Sequence, residues 1–209
     1  MQLFYKPGAC SLAVHIALRE VGASFELVRV DRKTGRTETG EDFRAINPKG
    51  YVPALRLDDG DVLTEGVVLL QYVGDQHPEL GFVEPFGTRA RYHQMERLHF
   101  LATELHKAFG PLSKPGHDEA AKARAREQVA ARLAELEADL APGPYFGGER
   151  FTAPDCYLAV MLLWVRFLGL ETPPCPRLDA LLQRVLERPA VQAALEAEGI
   201  AQRVAELTR

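Results

Sequence analysis

Four short apolar or alternating runs occupy the first third of the chain, and each is bounded by residues that favour turns. Such runs predict β-strands, whose side chains alternate between two faces. The predicted strands are Gln2–Lys6, Phe25–Val30, Val52–Leu57 and Val62–Leu63. The last two flank Asp58-Asp59-Gly60-Asp61, and an Asp-Gly step between two apolar runs predicts a hairpin.

Three stretches between and after these strands have the spacing of apolar residues that is typical of helices. They are Ser11–Val21, Glu41–Asn47 and a helix from Glu65 to about His77. We expect Thr64 to be the N-cap of the third helix. The order β-α-β-α-β-β-α is thioredoxin-like, with a parallel pair joined by a crossover and then an antiparallel hairpin. Pro53 is expected at a strand start, and a cis Val52–Pro53 bond would turn the Val52 backbone toward Cys10.

The pattern changes after residue 78. Residues 79–88 are rich in proline and glycine and predict a linker, whereas residues 89–209 have helical spacing and no strand signal. The predicted helices there are Arg89–Leu112, Glu119–Leu140, Asp155–Leu168, Arg177–Leu186 and Ala190–Ala197. Thr152 and Asp155 form a capping-box pattern ahead of the apolar central helix. We therefore predict an α/β thioredoxin-like N-terminal domain over residues 1–78 and an all-α C-terminal domain over residues 89–209.

The composition of the chain bears on whether nucleic acid, a membrane or a metal is an expected partner. Hydrophobic residues make up 46% and charged residues 26% of the chain, and the net charge is −4, so neither nucleic acid nor a membrane is expected as a partner. No apolar run approaches the roughly 18 residues that span a bilayer, and we expect no secretory leader. The three cysteines form neither a CxxC pair nor a metal-ligand spacing, which predicts a cytoplasmic protein without a bound metal.

Cys10 lies where the first predicted strand gives way to the first helix, after Pro7-Gly8. A thiol at a helix start is beside free N–H groups and the positive end of the helix dipole, which favours the thiolate. The alternative is a small buried apolar residue, which is the usual place of an unpaired cysteine. Ser11 is either the N-cap of this helix or a donor to a bound thiolate.

Glu65 and Gly66 lie at a second strand-to-helix junction, which the thioredoxin-like order places on the same edge of the sheet as Cys10. The N–H groups near Gly66 would bind a carboxylate and Glu65 would bind an ammonium group, a combination that suits an amino acid or a γ-glutamyl peptide. The alternative is that Glu65 interacts only with the helix dipole, as glutamates in first turns commonly do.

His99, Thr103 and His106 are spaced four and three residues apart, so they share one face of a predicted helix, with Lys107 adjacent. This face either lines a cleft against the first domain or is simply exposed to solvent. In a cleft, His106 would stabilise a thiolate or move its proton. The pattern does not favour zinc, because no HExxH motif or cysteine pair accompanies it.

Four segments in this order resemble a bacterial beta-class glutathione S-transferase. They are Tyr5–Leu12, Asn47–Leu55, Leu63–Gly66 and Ala102–Lys107. The resemblance covers essentially the whole chain, including the capping segment Phe151–Asp155. It implies the glutathione transferase fold, glutathione as co-substrate and a homodimer.

The resemblance also implies roles for individual residues. Cys10 would lie at the sulfur of glutathione, and His106 would be the second catalytic residue. The backbone of Val52 would pair with the glutathione backbone, and Glu65-Gly66 would hold the γ-glutamyl end. The full set that it implies at glutathione is Ala9, Cys10, Ser11, Val52, Glu65, Gly66, His99, Thr103, His106 and Lys107.

Four positions depart from the pattern of the family. Relatives often have serine at Gly66, asparagine at His99, serine at Thr103 and a lysine at Gly35 that reaches the glycine carboxylate of glutathione. Lys33 and Arg36 are the candidates to replace that lysine. Losing one charge-assisted contact would cost on the order of 1.5–3 kcal/mol, or roughly a tenfold to hundredfold drop in affinity, so weak glutathione binding is expected.

The predicted function is a detoxifying transferase, in which the glutathione thiolate attacks a small hydrophobic electrophile held between the two domains. One alternative is glutathione-dependent thiol–disulfide exchange, which would be monothiol because Cys10-Ser-Leu-Ala13 contains no second cysteine. The other is a non-enzymatic ligand-binding or interaction protein on the same fold, which would need neither Glu65 nor His106.

Overall fold

A four-stranded mixed sheet forms the centre of the N-terminal part. The computed structural model describes residues 1–113 and 115–208; Lys114 and Arg209 lie outside the described residues. The strands are β1 (Gln2–Tyr5), β2 (Glu26–Arg29), β3 (Ala54–Arg56) and β4 (Val62–Thr64), and the helices are α1 (Ser11–Glu20), α2 (Phe43–Ile46) and α3 (Gly66–Asp75). The sheet order is β2-β1-β3-β4, with β1 and β2 parallel and the other pairs antiparallel. The predicted order β-α-β-α-β-β-α is confirmed.

Alternation along the strands gives the sheet two apolar faces. Cross-strand register places Leu3 beside Leu55, and Leu55 beside Leu63. These leucines belong to the core that α1 and α3 cover. Phe4 points to the opposite face and packs against Phe43 of α2, with 5.6 Å between ring centroids. The sheet is therefore a middle layer, and the loop after β1 leads directly into α1.

The C-terminal part is helical in the described residues, apart from one isolated bridge between Tyr145 and Gly148. A 3₁₀ turn at Pro78–Leu80 precedes it. Its helices are α4 (Arg89–Phe100), α5 (His106–Ala108), α6 (Gly110–Ser113), α7 (Glu119–Asp139), α8 (Ala153–Phe167), α9 (Pro176–Leu186), α10 (Pro189–Ala197) and α11 (Ala201–Leu207). Helix α8 is buried over most of its length and packs against α1 within one shared apolar core. The predicted fold class is confirmed, while the boundaries 1–78, 79–88 and 89–209 remain predictions.

The prediction of one continuous helix over Arg89–Leu112 is wrong. Helix α4 ends at Phe100, and Leu101–Leu105 form a π-helical turn in which the N–H of His106 donates to the carbonyl of Leu101. Two short helices, α5 and α6, follow. A π-helical turn accommodates an extra residue without breaking the apolar stripe, so spacing alone does not reveal it. Helix α11 was also not predicted, because Val204 is its only buried residue.

Two predicted caps had different outcomes. The carboxylate of Asp155 accepts the backbone N–H of Thr152 at 2.8 Å and its hydroxyl at 2.9 Å, so the predicted cap of α8 is confirmed. Thr64 is not a cap. It is the last residue of β4, and Glu65 occupies the N-cap position of α3.

Candidate active site

Cys10 and Val52 meet at the edge of the sheet. Cys10 occupies the N-cap position of α1, after the loop Pro7-Gly8-Ala9, and it is partly buried. The Val52–Pro53 peptide bond is cis, and the thiol of Cys10 donates to the carbonyl of Val52 at 3.3 Å. The structure thus brings together two residues that the sequence places 42 positions apart.

The protonation of Cys10 differs from the sequence-based expectation. Burial, which disfavours the thiolate, raises the pKa of Cys10 to about 11. The backbone N–H groups of Cys10 and Ser11 lower this pKa, as expected at a helix start, and Glu65 raises it further. The expectation that the helix start favours a Cys10 thiolate is wrong here, because desolvation of the sulfur outweighs those N–H groups. Cys10 is therefore a thiol at neutral pH and a hydrogen-bond donor.

Ser11 does not have the capping role that was one of its two expected roles, while its role as a donor to a bound thiolate stays a prediction. It is the first residue of α1 rather than its N-cap, and it is fully buried. Its hydroxyl accepts the N–H of Lys6 at 3.2 Å and donates to the carbonyl of Lys6 at 3.3 Å. Ala9 is tied to the same residue, since its N–H donates to the Lys6 carbonyl at 3.0 Å. The two residues flanking Cys10 thus hold the shape of the loop.

Glu65 adopts a backbone conformation that side chains rarely take. Its φ is +73°, and it is the one non-glycine residue with positive φ among the described residues. Such conformations cost about 1–3 kcal/mol and are concentrated at functional sites. The carboxylate of Glu65 is exposed and lies 2.9 Å from the ammonium group of Lys49. Gly66 follows as the first residue of α3, with its N–H at the helix start.

His106 reaches the site from the C-terminal part. Its Nδ1 shares a hydrogen bond of 2.6 Å with the hydroxyl of Tyr157, and its ring packs edge-on against Trp164 with 4.9 Å between centroids. Burial raises the pKa of Tyr157 above its ordinary value, and the Glu65 carboxylate and, at alkaline pH, the ionised Cys10 sulfur raise it further. The Tyr157 hydroxyl therefore keeps its proton at neutral pH.

Trp164 joins His106 to the Cys10 loop. Its indole N–H donates to the carbonyl of Gly8 at 2.8 Å, while its ring contacts both His106 and Phe109. Sequence reasoning assigned no such role to Trp164. The contact spans 156 positions, so local patterns hold no sign of it.

A buried carboxylate binds the N–H of the same glycine. Glu198 accepts the N–H of Gly8 at 2.8 Å and also contacts His15 Nδ1 at 2.9 Å. Arg19 donates to His15 Nε2 at 2.8 Å, so Nε2 is an acceptor and Nδ1 carries the proton that points at Glu198. His15 and Glu198 side chains are fully buried, and sequence reasoning missed both.

His99, Thr103 and Lys107 are exposed. His99 Nδ1 contacts the carbonyl of Met95 at 2.8 Å, and the hydroxyl of Thr103 donates to the carbonyl of His99 at 2.9 Å. Among the described residues, no hydrogen bond, ion pair or ring contact joins these three side chains to Cys10 or Glu65. The structure therefore brings His106 toward the Cys10 loop but leaves its three predicted partners on the surface.

Gly35 lies in the loop between β2 and α2 with a φ of +69°. Arg36, one candidate for the missing lysine, donates through its guanidinium to the carbonyl of Gly40 at 2.7 Å. Lys33, the other, is exposed in the same loop. Neither is joined to Cys10 or Glu65 by a contact among the described residues.

Metal-ligating clusters and membrane-spanning helices are both absent from the part of the chain that the structure describes. Within residues 1–113 and 115–208, no three His, Cys, Asp or Glu side chains cluster as they would around a metal ion. None of the helices described has the length and apolar character needed to cross a membrane.

Comparison with known proteins gives consistent matches. Residues 8–76 match the family model for the glutathione S-transferase N-terminal domain, and residues 100–189 match that for the C-terminal domain. The chain is 46% identical to glutathione S-transferase GstA of Escherichia coli O157:H7, over 96% of this chain and all of that protein.

Solved structures agree with the sequence matches. A beta-class glutathione S-transferase from Sphingomonas chungbukensis is 46% identical, with a TM-score of 0.92 over 96% of this chain and all of that one. A sphingomonad glutathione S-transferase complexed with glutathione is 49% identical, with a TM-score of 0.92 and the same coverage.

Proposed function

Because the chain belongs to the bacterial beta-class glutathione S-transferases, we propose that it binds glutathione along Cys10, Val52 and Glu65-Gly66 and transfers it to a small hydrophobic electrophile. The main support for a glutathione site here is the contact between the Cys10 thiol and the Val52 carbonyl, at the edge of the sheet where α1 begins. Exposed Glu65 supplies a carboxylate for the γ-glutamyl ammonium group, and the start of α3 at Gly66 supplies N–H groups for its carboxylate.

In the proposed reaction, the thiol of glutathione loses its proton and its sulfur forms a bond to the electrophilic carbon. The leaving group departs with the electron pair of the broken bond, or the pair moves onto the electrophile in an addition. When glutathione is bound, the single S–H of Cys10 turns from the Val52 carbonyl to the glutathione sulfur and stabilises its negative charge, which leaves that carbonyl to the glutathione backbone. His106 receives the thiol proton and passes it to solvent. The remaining predicted contacts, from Ala9, Ser11, His99, Thr103 and Lys107, stay part of the proposal.

Two observations favour transfer over thiol–disulfide exchange. Exchange requires attack by a thiolate, whereas burial raises the pKa of Cys10 to about 11. The other two described cysteines, Cys156 and Cys175, are buried. A non-enzymatic binding role would leave unexplained the strained backbone of Glu65 and the contacts that join His106 through Trp164 to the loop of Cys10.

We also propose a homodimer that works in the cytoplasm in detoxification. Val68 on α3 and Tyr92 on α4 expose large apolar surfaces, and buried Arg91 ties the two helices together through a bidentate contact with Asp75 at 2.8 Å. Free cysteines suit a reducing compartment. Residues 1–78 would be the glutathione-binding domain, 79–88 the linker and 89–209 the helical domain, and the family matches to residues 8–76 and 100–189 support this division.

The proposed function is tested by the rate at which the purified protein conjugates glutathione to an activated aryl chloride. We expect saturable turnover by the wild type, and a loss of about a hundredfold in His106→Ala, as for removal of a proton-transfer group. Cys156→Ala, which alters a buried cysteine away from the edge, should retain the wild-type rate. Reduction of a glutathione mixed disulfide, measured in parallel, should be much slower than conjugation. Absence of conjugation in the wild type would overturn the proposal.

A further inference from the structure

Lys49 provides a positive charge beside Glu65 that the sequence did not reveal. Its ammonium nitrogen lies 2.9 Å from Oε1 of Glu65 and 3.4 Å from the hydroxyl oxygen of Thr64. Both contacts are to the strand-to-helix junction that would hold the γ-glutamyl end of glutathione. The ammonium group of Lys49 is therefore part of the proposed binding surface for the γ-glutamyl end.

The backbone that carries Lys49 is fixed by a buried side chain. The amide of Asn47 donates to the carbonyl of Tyr51 at 2.8 Å and accepts the N–H of Lys49 at 3.2 Å. Gly50 closes the turn with a φ of +69°, and its N–H donates to the carbonyl of Asn47 at 2.8 Å. The Cα of Lys49 thus has a defined position in the Asn47 turn, while its side chain extends over the surface.

We propose that Lys49 binds the α-carboxylate of the γ-glutamyl end of glutathione, and so determines specificity for a zwitterionic ligand. The inference rests on the proposed function, because it needs glutathione at this edge. The ammonium and carboxylate of the γ-glutamyl end are attached to the same carbon atom. A ligand ammonium on Glu65 therefore brings its carboxylate within reach of Lys49, whose ammonium is already in contact with Glu65.

Charge balance favours this arrangement. Glu65 facing both Lys49 and a ligand ammonium would meet two positive charges with one negative charge. The ligand carboxylate supplies the second negative charge, so that the four groups alternate in sign and sum to zero. Gly66 has no hydroxyl to offer this carboxylate, and Arg36 is directed to the carbonyl of Gly40. Among the described residues, Lys49 is the cation that forms an ion pair with Glu65.

The expected effect is modest because the groups face solvent. The side chains of Lys49 and Glu65 are 55% and 65% exposed. Exposed ion pairs are weak, so losing the Lys49 contact should reduce affinity for glutathione by about fivefold.

The test uses isothermal titration with two ligands and three proteins. The ligands are glutathione and γ-aminobutyryl-cysteinylglycine, which is glutathione without the γ-glutamyl α-carboxylate. The proteins are the wild type, Lys49→Met and Lys122→Met. Lys122 is a matched control, because it also pairs with a glutamate, Glu119 at 2.7 Å, but lies on α7.

We expect Lys49→Met to weaken glutathione binding by about fivefold and not to weaken binding of the shortened ligand, which has no carboxylate for Lys49 to bind. Lys122→Met should bind both ligands as the wild type does, and Lys49→Arg should retain most of the affinity for glutathione. Tighter glutathione binding by Lys49→Met, which would mean that Lys49 only competes for Glu65, overturns the inference. Equal weakening of both ligands also overturns it. Absence of glutathione binding by the wild type overturns the proposed function itself, which separates that failure from failure of the Lys49 inference.

Discussion

The indole N–H of Trp164 donates to the carbonyl of Gly8 at 2.8 Å. Gly8 lies two residues before Cys10, and Trp164 lies on the central helix α8. The ring of Trp164 also packs against His106, 4.9 Å away between centroids. One side chain thus sets the position of His106 relative to the loop that carries Cys10.

Replacing Trp164 with phenylalanine keeps an aromatic ring against His106 but removes the hydrogen bond to Gly8. We expect Trp164→Phe to lose about 1 kcal/mol of the free energy of unfolding and several-fold of the conjugation rate. Urea unfolding and steady-state kinetics measure the two effects. Phe86 is exposed, and substitutions of exposed side chains usually change the free energy of unfolding little. Phe86→Leu is therefore a suitable control for the loss of an aromatic side chain. Full activity in Trp164→Phe would show that the hydrogen bond does not position the loop.

Glu198 also binds Gly8, through the N–H of that residue, and its other carboxylate oxygen contacts His15. The N–H of Gly8 and the Nδ1–H of His15 both donate to Glu198. Glu198→Gln removes the negative charge and places an amide N–H group opposite one of these donors. We expect it to lower the free energy of unfolding by about 2–3 kcal/mol, as for a buried hydrogen bond to a charged group. Urea denaturation is the measurement.

Glu196 provides a control for this substitution, since it lies two positions earlier on α10 and is exposed. Glu196→Gln should change the free energy of unfolding by less than about 0.5 kcal/mol. Equal effects of the two substitutions would contradict the role assigned to Glu198.

Gly66 can accommodate a serine. A Cβ atom there would meet only Cγ of Pro53 at 3.8 Å, an ordinary contact, and Gly66 does not have a positive φ. The added hydroxyl could donate to the γ-glutamyl carboxylate, so Gly66→Ser should tighten glutathione binding by about tenfold. Gly66→Ala adds the Cβ atom alone and should bind as the wild type does. Equal affinities of the serine and alanine variants would refute the prediction.

The pKa of Cys10, raised to about 11 by burial, has a measurable consequence. Iodoacetamide reacts with thiolates, so its reaction with Cys10 should be slow at neutral pH and accelerate until the pH approaches 11. Mass spectrometry of the modified peptide assigns the reaction to Cys10. A half-maximal rate below pH 8 would show that the helix start outweighs desolvation after all.

The same shift links Cys10 to stability. The folded pKa lies above the ordinary thiol value, so the unfolded chain ionises first as the pH rises. The contribution of Cys10 to the free energy of unfolding is fully present below the ordinary thiol pKa. It is lost as the pH rises through the folded-state pKa of about 11. Cys10→Ser should therefore show a smaller fall in the free energy of unfolding over that alkaline range.

Local patterns were sufficient for much of the fold. The strand and helix order of the first part follows from the period of apolar residues and from turn residues such as Asp59-Gly60. The meeting of Cys10 with Val52 followed from placing a strand-to-helix junction next to Pro53. These features depend on neighbours in sequence or on the edge at which strands end.

Other features depend on contacts between distant segments, and sequence spacing does not encode them. The pKa of Cys10 depends on how many atoms surround its sulfur. The position at a helix start, taken alone, predicted a lowered pKa, whereas burial raises it. Lys49 meets Glu65 only because the Asn47 turn and the β4–α3 junction fold side by side. The π-helical turn before His106 leaves the apolar stripe intact, so the stripe could not distinguish it from an α-helix.

The most direct test of the account is titration of glutathione into the wild type and into Glu65→Gln, with Glu127→Gln, an exposed change on α7, as control. Glu65→Gln keeps the side-chain shape but removes the charge that would hold the γ-glutamyl ammonium group. The account predicts one site per chain in the wild type and the control, and about fivefold weaker binding in Glu65→Gln, because the Glu65 carboxylate is exposed to solvent as Lys49 is. Equal binding by all three proteins, or no binding by the wild type, would contradict it.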